Sequence, residues 1–63
     1  MNVTVLLAEL ERAEAFGENP GATRLWLSAP WGLRRRYADG YITAEDFWQG
    51  LRQWLEFEGR RAA

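Results

Sequence analysis

Two stretches of the chain, residues 3–16 and 44–58, carry apolar side chains at three- and four-residue intervals, and no stretch of useful length alternates apolar with polar. That period gathers the apolar side chains into one stripe of an α-helix, and a stripe must be buried against another element. In the first stretch Val3, Leu6, Leu7, Leu10 and Ala13 form the stripe, with Glu9, Glu11 and Arg12 off its centre. In the second, Phe47, Trp48, Leu51, Trp54 and Leu55 share a face opposite Gln49, Gln53 and Glu56. The pattern predicts an all-α fold: a compact bundle of three to four short helices in a single domain over residues 1–63, the first and last helices being the longest.

Turn-forming residues divide the chain between these stripes. Asn2 or Thr4 can cap a first helix that runs to about Phe16 and stops at Gly17. Asn19-Pro20 reads as an N-cap followed by proline at the first helical position, opening a short second helix to about Leu27 with Ala22, Leu25 and Trp26 inward. Pro30 disfavours helical geometry at Ala29 and suits the first turn of a third helix, Trp31 to Ala38. Gly40 supplies a left-handed residue to close it. Thr43 and Asp46 form a shorter-armed capping box for the fourth helix, and Ile42 and Phe47 occupy the two positions of a hydrophobic staple. Gly59 is expected to end that helix at about Glu58, leaving Arg60 to Ala63 as a frayed tail.

Composition removes most chemistry. The chain contains no cysteine, histidine or lysine, and its only serine is Ser28. Disulfides, the usual zinc ligand sets, thiol nucleophiles, imidazole acid–base catalysis, a Ser-His-Asp triad, Schiff-base chemistry and a P-loop are all excluded, so no catalytic residue, cofactor or metal is expected. Two carboxylates could do glycosidase-type work, yet a single layer of short helices offers little room to shield them, and the chain is read as a non-enzyme. The longest apolar run, Val5 to Ala8, is far short of the roughly 20 residues of a membrane span, and the start of the chain lacks a basic leader. A cytoplasmic protein is expected.

The segment Asp39-Gly40-Tyr41-Ile42-Thr43-Ala44-Glu45-Asp46-Phe47 resembles the second half of an EF-hand calcium loop. The upstream ligand positions, however, fall on Arg35 and Tyr37, and Asp46 stands in place of the terminal bidentate glutamate. The stretch from Tyr37 to Leu55 also resembles the short C-terminal helical module found at the ends of many bacterial proteins. It carries that module's G-x-I-T-x-E-[DE]-F pattern as Gly40, Ile42, Thr43, Glu45, Asp46 and Phe47, and then Trp54-Leu55. The resemblance implies a role in association. It covers under a third of the chain and departs from the family at Gly50-Leu51, where lysines are usual. Capping box and staple account for the same residues.

Arg34-Arg35-Arg36 raises nucleic-acid binding. Three consecutive arginines on a helix point in three directions and form no stripe, and the helix that would read DNA in a helix-turn-helix opens with Glu45 and Asp46. Nucleic acid is therefore the less favoured partner, and a helix-turn-helix-like DNA-binding regulator is the alternative to the main reading. Charge is segregated along the chain: residues 1–23 carry −3, residues 24–42 carry +3 and residues 43–63 carry −1. The acidic first helix and basic middle can complement one another within one chain, across a dimer or toward a partner.

The main reading rests on the aromatic residues. Trp, Tyr and Arg dominate interface hot spots, and this chain carries four Trp, two Tyr and eight Arg. Trp48 and Trp54 are expected in the core. Trp26 and Trp31 flank the Pro30 break on elements too short to bury both. The expected partner-binding residues are Trp26, Trp31, Arg34 and Arg35, in a small non-catalytic interaction module, a bacterial or phage regulator or inhibitor, that docks on a protein partner. A chain this short buries only about 60% of its unfolded surface, so self-association into a homodimer or higher oligomer is expected to complete the core.

Overall fold

The computed structural model describes residues 2–62. Helix α1 spans Val3–Ala15. Of its two candidate caps Asn2 is the one used, its Oδ1 accepting the Val5 N–H at 3.2 Å. At the other end Gly17 adopts φ +66°, its N–H donates to the Glu14 carbonyl at 3.1 Å, and the Glu18 N–H donates to the Ala13 carbonyl at 3.0 Å. These are the two bonds of a Schellman cap. Helix α2, Trp31–Ala38, ends in the same way. Gly40 at φ +80° donates to the Tyr37 carbonyl at 3.1 Å and Tyr41 to the Arg36 carbonyl at 2.9 Å. A side chain is strained at such φ values, which is why glycine marks both stops.

The expected second helix is instead two 3₁₀ turns, Pro20–Ala22 and Arg24–Ser28. Thr23, extended at φ −101° and ψ 160°, separates them, so a helical count of faces does not carry across it. Leu25 is buried as expected and Trp26 half-buried, but Ala22 is exposed and Pro20 is buried in its stead. Asn19 does cap the first turn, accepting the Gly21 N–H at 2.9 Å. Pro30 stands just before α2 in extended geometry, and its carbonyl accepts the Arg34 N–H at 3.1 Å.

Helix α3, Ala44–Ala62, opens with the capping box read from the sequence. The Asp46 N–H donates to Thr43 Oγ1 at 3.1 Å and the Thr43 N–H donates to Asp46 Oδ2 at 3.2 Å, a reciprocal pair worth about 1 kcal/mol to the helix. Its far end corrects the sequence reading. The helix passes through Gly59, and Arg60 and Arg61 are helical, where their charge suits the carboxyl end of the helix dipole. Ala63, the end of the expected frayed tail, lies outside the described residues. Gly59 keeps a negative φ and sits against α1: a Cβ there would stand 3.3 Å from Val3 Cγ1. Its small size serves packing rather than termination.

The first and last helices run antiparallel. Val3 lies by Gly59 at one end, and Arg52 pairs with Glu14 toward the other. Leu10, Phe47, Leu51 and Leu55 are fully enclosed between them, each side chain worth about 1.5–3 kcal/mol of burial. Val3, Leu6, Leu7 and Trp54 are half-buried around that centre. Helix α2 lies on α3 through Leu33, a core residue for which the sequence offered no stripe. The contact is close because position 50 is glycine: a Cβ there would stand 2.9 Å from Leu33 Cδ1.

The two helical glycines of α3 should therefore respond oppositely to alanine. At Gly59 the half-buried Val3 can yield a few tenths of an ångström, and Gly59→Ala should raise stability by about 0.5–1 kcal/mol through helix propensity. At Gly50 the clash with buried Leu33 outweighs that gain, and Gly50→Ala should cost about 1–2 kcal/mol. Equilibrium urea unfolding of both variants checks this, and shifts of the same sign would contradict it.

Candidate functional site

Phe47, the residue after the capping box, enters the core and supports the candidate site from beneath. Trp26 stacks on it with ring centroids 5.4 Å apart and an 18° angle between planes. Tyr37 leans on Phe47 at 5.5 Å and meets Trp26 edge-on at 6.1 Å, while its hydroxyl donates to Asn19 Oδ1 at 3.2 Å. Aromatic pairs in such arrangements contribute about 0.5–1.5 kcal/mol beyond their buried area, so Trp26 is a wall held from behind.

The opposite wall is the outer face of α2. Trp31, Arg34, Arg35 and Ala38 follow helical spacing along it. The Arg34 guanidinium lies over the Trp31 ring, its carbon 5.6 Å from the ring centroid, in cation–π geometry. Arg34 forms no ion pair among the described residues, and its Nε is buried without a hydrogen-bond acceptor. Arg35 Nε stands 3.5 Å from Asp39 Oδ2, an exposed pair. Trp26, Trp31, Arg34, Arg35, Ala38 and Asp39 together line an open pocket of about 240 Å³.

The four residues expected to bind a partner thus lie around one pocket, but their exposures differ. Trp31 is 65% exposed, whereas Trp26 is half-buried and offers the pocket only part of its ring. Ala38 and Asp39 were not singled out from the sequence, although Ala38, seven residues past Trp31, could have been found by helical spacing. The arginine triplet diverges as expected: Arg36 turns back along α2, its Nε donating to the Gly32 carbonyl at 3.3 Å. Leu27, before Pro30 in the chain, is also largely exposed, at 80%.

Part of the charge segregation is used within the chain. Arg24 pairs with Glu9 and Arg52 with Glu14, while Glu11, Glu18 and Glu45 form no ion pair among the described residues. Nor is any charged residue buried among them, and no group of three or more potential ligands stands where it could hold a metal ion. The Asp46 carboxylate, at the end of the calcium-loop resemblance, is taken by its cap bond to Thr43. Among the described residues no helix is long and apolar enough to cross a membrane.

Compared with protein families, curated proteins and solved structures, the chain matches none of them. The resemblance of residues 37–55 to the bacterial C-terminal module accordingly stands on its cap residues, each of which has a local structural task here.

The two pocket tryptophans should separate by stability. Trp31→Ala removes a mostly exposed ring and should change stability by less than about 1 kcal/mol, while Trp26→Ala removes the partner of Phe47 and Tyr37 and should cost about 2–3 kcal/mol. Chemical denaturation followed by helical circular dichroism measures both. The reverse order would mean that the walls of the pocket are wrongly assigned.

Proposed function

We propose that this protein is a small non-catalytic interaction module, a cytoplasmic regulator or inhibitor of bacterial or phage origin, that acts by occupancy. It docks the surface of Trp26, Trp31, Arg34 and Arg35 against a protein partner and associates with itself as a homodimer or higher oligomer. One observation carries the reading: in a chain short of core, the Trp31 ring is left 65% exposed with the Arg34 guanidinium, unpaired among the described residues, over it at the edge of an open pocket. An exposed indole costs solvation without stabilising the monomer, and Trp and Arg at the centre of a pocket are the side chains that dominate binding energy. Composition supports the non-catalytic part, since a chain without cysteine, histidine or lysine lacks most nucleophiles and general bases.

The test compares wild type with Trp31→Ala as immobilised bait in a host extract, followed by titration of each retained protein in purified form. A genuine partner should bind Trp31→Ala more weakly by about 2 kcal/mol or more, while the variant keeps its helical circular dichroism. Equal affinity for both baits would refute the assignment of this surface. Binding of duplex DNA that falls steeply with added salt would favour a nucleic-acid regulator instead.

A further inference from the structure

We propose that the pocket of Trp26, Trp31, Arg34 and Arg35 receives the Phe16-Gly17-Glu18 corner of a second copy of this chain, with Phe16 entering beside the tryptophans and the Glu18 carboxylate pairing with Arg34. This deepens the reading of the pocket as a protein-docking surface and rests on it.

The pocket defines what it can hold. At about 240 Å³ it is smaller than the usual small-molecule site of about 300–1,000 Å³ and suits a single large side chain. It is lined by two indoles, Ala38 and the Arg35–Asp39 pair, and beside Trp31 stands Arg34, which forms no ion pair among the described residues. The complementary occupant is an exposed aromatic ring with a free carboxylate beside it.

The chain carries such a feature at the end of α1. Phe16 is 75% exposed, Glu18 is exposed, and Glu18 forms no ion pair among the described residues. The corner is also rigid. The Phe16 N–H donates to the Arg12 carbonyl at 3.1 Å, the Gly17 and Glu18 N–H groups complete the Schellman cap, and Gly17 holds φ +66°. A ring presented on a locked cap loses little freedom on docking, as a ring on a loose loop would not. Charge points the same way, because the corner belongs to the segment of −3 and the pocket to the segment of +3.

Corner and pocket share no residue, so the contact is either made twice across a two-fold axis, closing a dimer, or repeated head-to-tail. In the head-to-tail case each added copy brings a free corner and a free pocket, and mass grows beyond a dimer unless a ring closes. A second copy in the pocket also excludes any other protein partner, so dilution frees the docking surface.

Sedimentation equilibrium over a wide concentration range tests the proposal with Phe16→Ala, Glu18→Arg and Arg34→Glu. All three positions lie outside the fully buried core, and circular dichroism checks that each variant is folded. Each variant alone should self-associate at least about tenfold more weakly than wild type. An equimolar mixture of Glu18→Arg with Arg34→Glu should recover association, because the intact corner of one meets the intact pocket of the other. A single 7.3 kDa species for wild type at every concentration would overturn the proposal, and so would association indifferent to these substitutions or unrestored by mixing. If Trp31→Ala still weakens a purified heterologous partner, the docking function survives that failure.

Discussion

The face-to-face contact of Trp26 with Phe47 ties the irregular middle of the chain to its longest helix. Phe47 is fully buried on α3, Trp26 lies on a 3₁₀ turn, and Tyr37 on α2 touches both rings, so three elements meet at one aromatic cluster. The Thr43–Asp46 capping box fixes the start of α3 and with it the direction in which Phe47 enters the core. The two 3₁₀ turns are too short to be stable alone and depend on Trp26, Leu25 and Pro20 reaching that core. The same stack that orders the middle segment therefore positions one wall of the pocket.

Small size explains why a functional surface can arise beside that cluster. Two antiparallel helices enclose only a thin core, and the third helix is eight residues long with Leu33 as its buried residue. Tyr37 also packs on the aromatic cluster, but the face of Trp31 and Arg35 is left exposed. Trp31 and Leu27 on either side of Pro30, and Phe16 beyond α1, are left largely in water, next to arginines and glutamates that the in-chain ion pairs do not use. In a larger domain such rings would be covered by another layer. Here the described chain has no further element to cover them.

The sequence was most legible where local rules act alone. Asn2, Gly17, Asn19, Gly40, Thr43 and Asp46 each do what their residue type and position imply, because a cap is decided within four residues. The stripes of α1 and α3 were legible for a similar reason, periodicity being a property of one helix. What escaped depends on two elements at once. Gly59 has the sequence look of a stop, but its neighbour is Val3, more than fifty residues away; Gly50 is small because Leu33 lies on it. The middle segment reads as one helix because nothing in Thr23 itself announces an extended residue between two turns. Of the candidate site, the four residues could be named from composition and their flanking of Pro30. Their convergence on one pocket could not, since it requires Trp26 to be held by Phe47.

The most direct test is a double-mutant cycle in equilibrium unfolding with Trp26→Leu, Phe47→Leu and the pair, which keeps both positions apolar while removing the stacked rings. If this contact organises the fold as described, the two substitutions should be coupled by about 1 kcal/mol. Costs that add to within about 0.3 kcal/mol would show that Trp26 and Phe47 act independently, and the account of how the pocket is held would be wrong.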